Sequence, residues 1–391
     1  MTTESIEAVP TAVVAGGDTL TITLVVTSLK GGGAEAVGIS WARGLRDLGH
    51  DVEVVVVSDS TVDEAFRQEF AVAEIGRMGG HRAKVAALKD RITARSADAV
   101  IAIQTYPNLL AIAAARGLRG GDRPAVVVTE HNLITLGLPG SPLSHRAKIA
   151  LAKRWYRRAD AVTACSHPVG AEMVAGFGVP RGRFFIVPNP AMAKVVDRTP
   201  VARTPGIQDG LTIVLAGRLV KQKSPVLAIE VAAALNRRGI PTRVESFGGG
   251  PLLHDVQQAA TRLDVDLVTH GWVDDWFAYF PTNAVVLLPS FREGFGNVLV
   301  EAAARGVPSV ALSNSLGVAD AVIPGVTGAL ALSADPEDIA NAVVEASTVE
   351  CTGVEAWLER FSEASSATAL AAVARDAIRR RRGVPAAAAS R

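Results

Sequence analysis

The chain has 391 residues, too long for one hydrophobic core, and divides into two domains of roughly 150–200 residues each. Its formal net charge of +1 sets up no global field for nucleic acid or a strongly acidic partner. The two cysteines, Cys165 and Cys351, sit in unlike contexts with no metal-ligand spacing and point to a reducing compartment. No apolar run approaches the roughly 18–20 residues of a membrane span. Residues 1–18 lack the basic-then-apolar order of a signal peptide and read as a loose tail, so the expected location is cytoplasmic.

Apolar strands and helical segments alternate along the chain, which predicts parallel α/β layers. TITLVV (21–26) reads as a buried strand, and the Gly-rich turn SLKGGGAE (28–35) leads into a helix over 34–48, closed by Gly49. That turn lacks the G-x-G-x-x-G spacing of a dinucleotide fingerprint, and by itself it suits a dehydrogenase or a transferase equally. Next come VEVVVV (52–57), a helix around 81–95, AVIAIQ (99–104), a helix from about 107 to 117, and AVVVTEH (125–131), which ends on His131. A basic helix follows near 142–158. Its segment 144–159 carries Arg146, Lys148, Lys153, Arg154, Arg157 and Arg158 beside Ile149, Leu151, Trp155 and Tyr156. Such a helix serves either as a solvated cover for the sheet or as a contact to an anionic membrane. DAVTACS (160–166), a helix from Pro168 to about Phe177, and FFIVPNP (184–190) complete a first domain over 19–190. Residues 191–210 hold two more prolines and no periodicity, and read as a linker.

The alternation restarts in a second domain over 211–360, with strands at 211–217, 242–248, 266–271, 284–290 and 308–312. In AGRLVKQKSP (216–225) the strand ends at Gly217, and Arg218 and Lys223 fall on the strand-to-helix loop. That loop lies at the carboxyl edge, where doubly wound sheets bind ligands. Ser224 suits the N-cap of the next helix and Pro225 its first position. Arginine can grip a diphosphate bidentately, and lysine adds a compact charge. SFGGGPLL (246–253) is a second Gly-rich turn able to approach a nucleotide. In HGWVDD (270–275), Asp274 and Asp275 read as helix caps. Asp264-Val265-Asp266 has the D-x-D form of metal-dependent sugar transferases, yet it lies at the amino edge of its strand and reads as a solvated turn. The histidines His145, His167, His254 and His270 find no partner at metal or triad spacing and read as structural.

The densest signal is PSFREGFGNVLVEAAARGVPSVAL (289–312). Glu293 stands in a turn with Gly294, Phe295 and Gly296, a helix starts near Asn297, and Glu301 falls in its second turn. Glycines permit positive φ and close approach, and the helix N-terminus favours an anion. Two carboxylates then frame a phosphate-friendly pocket and can accept bonds from sugar and ribose hydroxyls. A last helical stretch, 361–382, ends in Arg379–Arg382 and is followed by a tail over 383–391.

On these motifs the chain resembles the retaining glycosyltransferases of family 4 (glycosyl transferases group 1), whose hallmark is two glutamates separated by seven residues after an apolar strand. The resemblance spans roughly residues 21–382, with its specific motifs in the second half. It implies a GT-B fold, two Rossmann-like α/β domains with parallel sheets facing a cleft, and a final helix that crosses back to the first domain. It implies transfer of a sugar from a UDP- or GDP-linked donor to a glycan, lipid-linked or small-molecule acceptor in cell-envelope or glycan biosynthesis. Retention, no metal and no cofactor beyond the nucleotide sugar come with it. By the same resemblance Arg218 and Lys223 hold the donor diphosphate as it leaves, Glu293 holds sugar hydroxyls and Glu301 the ribose. The amides of Gly294, Phe295, Gly296 and Asn297 serve the sugar and phosphate, with Gly217 beside them. Val273 meets the base through its backbone, Gly33 meets the phosphate across the cleft, and His131 lies near the transferred sugar or acceptor. Two alternatives are a GT-B sugar-nucleotide epimerase, which calls for acidic residues and several histidines not evident here, and a non-catalytic partner subunit. Intact Arg218, Lys223, Glu293 and Glu301 argue against the second.

Overall fold

A computed structural model describes residues 18–120 and 123–383 of the chain. The tails read at 1–18 and 383–391 therefore fall almost wholly outside the described residues. Seven strands make the first sheet: β1 (Thr21–Val26), β2 (Asp51–Val56), β3 (Ala71–Glu74), β4 (Ala99–Ile103), β5 (Ala125–Glu130), β6 (Ala161–Ala164) and β7 (Phe184–Ile186). They run parallel in the order β3-β2-β1-β4-β5-β6-β7. Six more make the second: β8 (Leu211–Ala216), β9 (Thr242–Phe247), β10 (Leu267–Gly271), β11 (Ala284–Leu288), β12 (Ser309–Leu312) and β13 (Gly328–Ala331). These are also parallel, in the order β10-β9-β8-β11-β12-β13.

The apolar runs explain this arrangement. A strand's side chains alternate between faces, so a run without polar interruption must be covered on both. Leu24 and Val54 join one core, while their neighbours Val25 and Val55 join another on the opposite face. In the second sheet Val214 and Val286 lie in one core, and Ile213 and Val285 in the other.

Residues 187–210 pass between the sheets without helix or strand. The final helix, Glu363–Arg381, follows the second sheet in the chain yet packs on the first. Leu370, Ala371, Ala374 and Ala377 share a core with Leu24, Trp41 and Leu45. Trp41 Nε1 donates to Ser366 Oγ at 2.8 Å. Ser362 caps this helix by accepting from the Ser365 amide at 3.0 Å. At Gly44 a Cβ would lie 2.6 Å from that of Ala367, so the helix Gly33–Asp47 and the final helix touch along small residues.

Several elements have no counterpart in the periodicity: the helices Glu64–Glu69, Pro336–Ser347 and Glu355–Glu359, and the strands β3 and β13. Apart from the helix Pro336–Ser347, each is six residues or fewer, and β3 and β13 are edge strands. So short a run carries little pattern, and pairing with an existing sheet decides it. The helix expected from Pro168 to Phe177 begins at His167 and turns into a π-turn over Glu172–Gly176.

Candidate active site

Each sheet reverses its strand order beside its first strand, at β1/β4 and at β8/β11. Doubly wound sheets open a crevice at such switch points, outside the carboxyl ends of the strands. Here the two crevices face each other across one cavity of about 490 Å³. Gly33 enters it from the loop after β1 and His131 from the end of β5. Gly217, Arg218 and Lys223 follow β8, and Val273 follows β10. Glu293, Gly294, Phe295, Gly296, Asn297 and Glu301 follow β11. All twelve residues singled out from the sequence line this cavity.

The charges have a definite order. Lys223 Nζ lies 2.6 Å from Glu293 Oε1, and Glu293 is buried, its amide donating to Ser315 O at 3.1 Å. Arg218 is exposed to the cleft and makes no side-chain bond with the described residues. Glu301, on the helix Asn297–Ala304, is buried and accepts from Trp276 Nε1 at 2.8 Å. Burial raises its pKa, offset in part by the Trp276 bond and by Lys194 and Lys223. Ser224 differs from its expected role: it holds the N-cap position in the left-handed region (φ 46°, ψ 51°) and gives the helix no side-chain bond. The tight turn Lys221–Lys223 forces this conformation while aiming Lys223 at Glu293.

The glycines serve packing as much as ligand approach. Gly296 caps the helix Asn297–Ala304 at φ +102°, a conformation side chains rarely adopt. A Cβ at Gly294 would overlap the carbonyl oxygen of His131, and Ser166 Oγ donates to the Gly294 carbonyl at 2.6 Å. Gly294 is thus where the two domains touch backbone to backbone. The turn SFGGGPLL, expected to approach a nucleotide, instead lies on its neighbour. Cβ atoms at Gly248 and Gly250 would overlap the carbonyls of Gly217 and Leu219. The Leu219 amide donates to Gly249 O at 2.9 Å, so the turn braces the loop that carries Arg218. Asp274 and Asp275 are not side-chain caps. Asp274 accepts from Trp272 Nε1 at 3.1 Å, and Asp275 precedes the short turn Trp276–Ala278 without a capping bond.

His131 has both ring nitrogens engaged. Nδ1 lies 2.9 Å from Asn189 Oδ1, an oxygen that can only accept, so Nδ1 carries the proton. Nε2 then accepts from the Thr129 hydroxyl at 3.0 Å. Burial pushes the pKa down to about 4, so the ring is neutral at pH 7. Asn189 Nδ2 donates onward to Asn297 Oδ1 at 2.9 Å. The histidine therefore orients Asn297 across the domain boundary through Asn189.

Several cleft residues escape sequence reading. Glu130 is buried beside His131 and accepts from Thr105 Oγ1 at 3.0 Å, Asn108 Nδ2 at 3.1 Å and the Tyr156 hydroxyl; burial raises its pKa to about 7. Arg292, Lys194, Asn189 and His145 also line the cavity. A charged residue ending a buried strand, as Glu130 does, is a legible signal. Nothing in the sequence brings Asn189 or Trp276 to the site.

Two Rossmann-like parallel sheets sharing one cleft at their switch points define a GT-B protein. Solved structures agree on the fold. A lipopolysaccharide outer core galactosyltransferase in its apo form superposes with a TM-score of 0.72 at 20% identity, over 90% of this chain and 99% of that one. The Anabaena protein HepE, in complex with UDP and glucose, gives 0.63 at 20% identity over 93% and 98%. The model of Glycosyltransferase Family 4 matches residues 31–191, and that of Glycosyl transferases group 1 matches 210–348. The chain belongs to this family of glycosyltransferases. A D-inositol 3-phosphate glycosyltransferase of Kribbella flavida is 30% identical over 49% of each chain. A GDP-mannose-dependent alpha-(1-6)-phosphatidylinositol monomannoside mannosyltransferase of Mycolicibacterium smegmatis is 32% identical over 42% of this chain and 44% of its own. The match thus spans about half the length of these curated relatives.

Proposed function

We propose that the cleft transfers a sugar from a UDP- or GDP-linked donor to an acceptor hydroxyl, with retention at the anomeric carbon and without a metal. The observation that carries this reading is the Lys223–Glu293 pair at 2.6 Å, with Arg218 in the same cavity and unpartnered among the described residues. Two cations face a site next to a helix N-terminus, where an anion is favoured. In the step proposed, the bond from anomeric carbon to phosphate oxygen breaks and the acceptor oxygen bonds to the same face. The acceptor's proton goes to the leaving phosphate oxygen. Arg218 and Lys223 then oppose a charge that grows in the transition state, which is the most effective place for preorganised charge. Glu293 would hold sugar hydroxyls and Glu301 the ribose. His131, with both nitrogens engaged, would orient Asn297 rather than exchange protons. The names of the curated relatives, which include a GDP-mannose-dependent enzyme, and the UDP complex of the Anabaena protein fit such a donor. Cell-envelope or glycan biosynthesis on the cytoplasmic side is the setting we infer.

The helix Leu143–Trp155 supports a membrane-bound acceptor. No described helix is long and apolar enough to cross a membrane. Leu143 is 81% exposed, Leu136 and Leu151 are also exposed, and so are Arg146, Arg154, Arg157 and Arg158. Trp155 and Tyr156 do not contribute as their residue types suggest. Tyr156 is buried, and Arg116 covers the Trp155 ring at 5.4 Å. Each basic residue near an anionic surface contributes about 1 kcal/mol.

The test is a panel of UDP- and GDP-sugars with EDTA present, read as nucleotide diphosphate release, and by NMR for product stereochemistry. Binding of neither UDP nor GDP would overturn the reading, and rescue of activity by manganese alone would overturn its metal-free form. Sedimentation with anionic vesicles, reversed by salt, tests the membrane arm.

A further inference from the structure

The cleft holds a further cation besides Arg218 and Lys223, the pair proposed for the donor. Arg292 precedes Glu293 in the chain, but its guanidinium crosses to the first domain and lies against Gly137, where a Cβ would overlap Nη1. Gln222 brackets it: Gln222 Nε2 donates to the Arg292 carbonyl at 2.8 Å, and Arg292 Nη2 donates to Gln222 Oε1 at 3.3 Å. That is the only side-chain bond Arg292 makes among the described residues, although a guanidinium has five donors. Its Nε is shut off from solvent without a partner. A half-buried guanidinium that no carboxylate among the described residues reaches directly is costly to keep.

The neighbouring carboxylates are already taken. Glu293 is held by Lys223 at 2.6 Å. Glu172 accepts from the amides of Ile134 and Thr135, both at 2.7 Å, and from the Thr135 hydroxyl. Both carboxylates still act on the guanidinium electrostatically, but neither makes a hydrogen bond to it among the described residues. His145, on the helix Leu143–Trp155, lines the same cavity, and burial, Lys148 and Arg292 together push its pKa down. The open donors of the guanidinium and an imidazole on the first-domain side of the same cavity offer N–H groups to an anion.

We propose that Arg292 and His145 bind a phosphate group on the acceptor, so that the acceptor class is a phosphate ester rather than a neutral glycan. This rests on the transfer reading above and deepens it. Phosphate fits better than carboxylate because a monoester carries close to two charges at neutral pH, which the Arg292 guanidinium opposes, and keeps an oxygen free to accept an N–H from the neutral His145 ring. It also offers three oxygens to a planar fork of N–H groups. The ester comes from one of two sources, a soluble sugar phosphate or a lipid headgroup.

The experiment first saturates the full chain with the nucleotide diphosphate it binds, which occupies Arg218 and Lys223. Calorimetry then compares glycerol 3-phosphate with glycerol, and glucose 6-phosphate with glucose. Vesicles of phosphatidylcholine with and without phosphatidylinositol form the lipid arm. The phosphorylated member of at least one pair should bind about ten-fold or more tightly than its neutral counterpart, as a charge-assisted contact implies. Arg292→Gln should abolish that preference while leaving nucleotide diphosphate affinity within about two-fold. His145→Gln, on the surface of its own helix, repeats the test without disturbing the Gly137 contact. Equal binding of phosphorylated and neutral probes in every arm would overturn the proposal. So would a preference kept in both variants, or an Arg292→Gln that weakens the nucleotide as much as the ester. Failure of any nucleotide to bind would instead count against the donor reading.

Discussion

Lys223 and Arg218 share the cleft but stand in different surroundings, and their removal should differ accordingly. Lys223→Ala strips the counter-ion from buried Glu293, so it should cost about 1–3 kcal/mol of stability as well as activity. Arg218→Ala leaves nothing unpaired and should be silent in thermal denaturation. Both should lower turnover by roughly 2–4 kcal/mol more than they weaken the donor's ground-state binding. Unchanged turnover in a folded variant of either would remove it from the diphosphate clamp. The glutamates should also separate. Glu301→Ala should weaken nucleotide diphosphate and nucleotide sugar alike by about 1.5–3 kcal/mol, because the ribose belongs to both. Glu293→Ala frees Lys223 for phosphate, so it should spare nucleotide diphosphate binding while reducing affinity for the sugar donor. Calorimetry with the two ligands decides, and parallel losses in both variants would refute the division of roles.

At the scale of elements, the end of β5 carries two neighbouring groups whose titrations pull in opposite directions. Glu130 is raised from 4.5 to about 7, so the folded state binds the extra proton. Its contribution is complete below pH 4.5 and is lost as pH rises through about 7. His131 is lowered from 6.5 to about 4, so the unfolded state binds the extra proton. Its contribution is complete above pH 6.5 and is lost as pH falls through about 4. Melting temperatures across pH 4–8.5 should therefore flatten on the alkaline side in Glu130→Gln and on the acid side in His131→Gln. If each variant keeps the parent's slope, burial at this strand end is not the cause of the shifts. A double-mutant cycle between His131→Ala and Asn189→Ala should be strongly non-additive, since both act on Asn297 through one chain of bonds.

For the whole molecule, the final helix ties one half of the chain to the other. Leu370 is fully buried against the first sheet, so Leu370→Ala should cost about 2–5 kcal/mol in chemical denaturation, although it lies far from the cleft. A loss under about 1 kcal/mol would mean that this helix is not part of the first core. The backbone contact at Gly294 works at the same scale. It fixes how closely the domains approach, with Ser166 on one side and the Glu293 loop on the other.

Much of this protein is legible in its sequence. Uninterrupted apolar runs such as AVIAI and AVVLL admit only strands covered on both faces, and their alternation with helices admits only parallel sheets. The clustering of Arg218, Lys223, Glu293 and Glu301 follows, because each sits just past a strand's carboxyl end, where loops of a doubly wound sheet converge. Local patterns did not decide the roles of the small residues. Gly248, Gly250 and Gly294 look like ligand-approach glycines, but each is required by a second stretch of backbone that only the fold brings near. Nor could they reveal partners distant in the chain: Trp276 on Glu301, Asn189 between His131 and Asn297, Arg292 against Gly137. The periodicity of one segment records which face it must bury, and so determines elements and layers. Which side chain is left without a partner depends on both walls of the cleft at once, and that was decided only when the two sheets met.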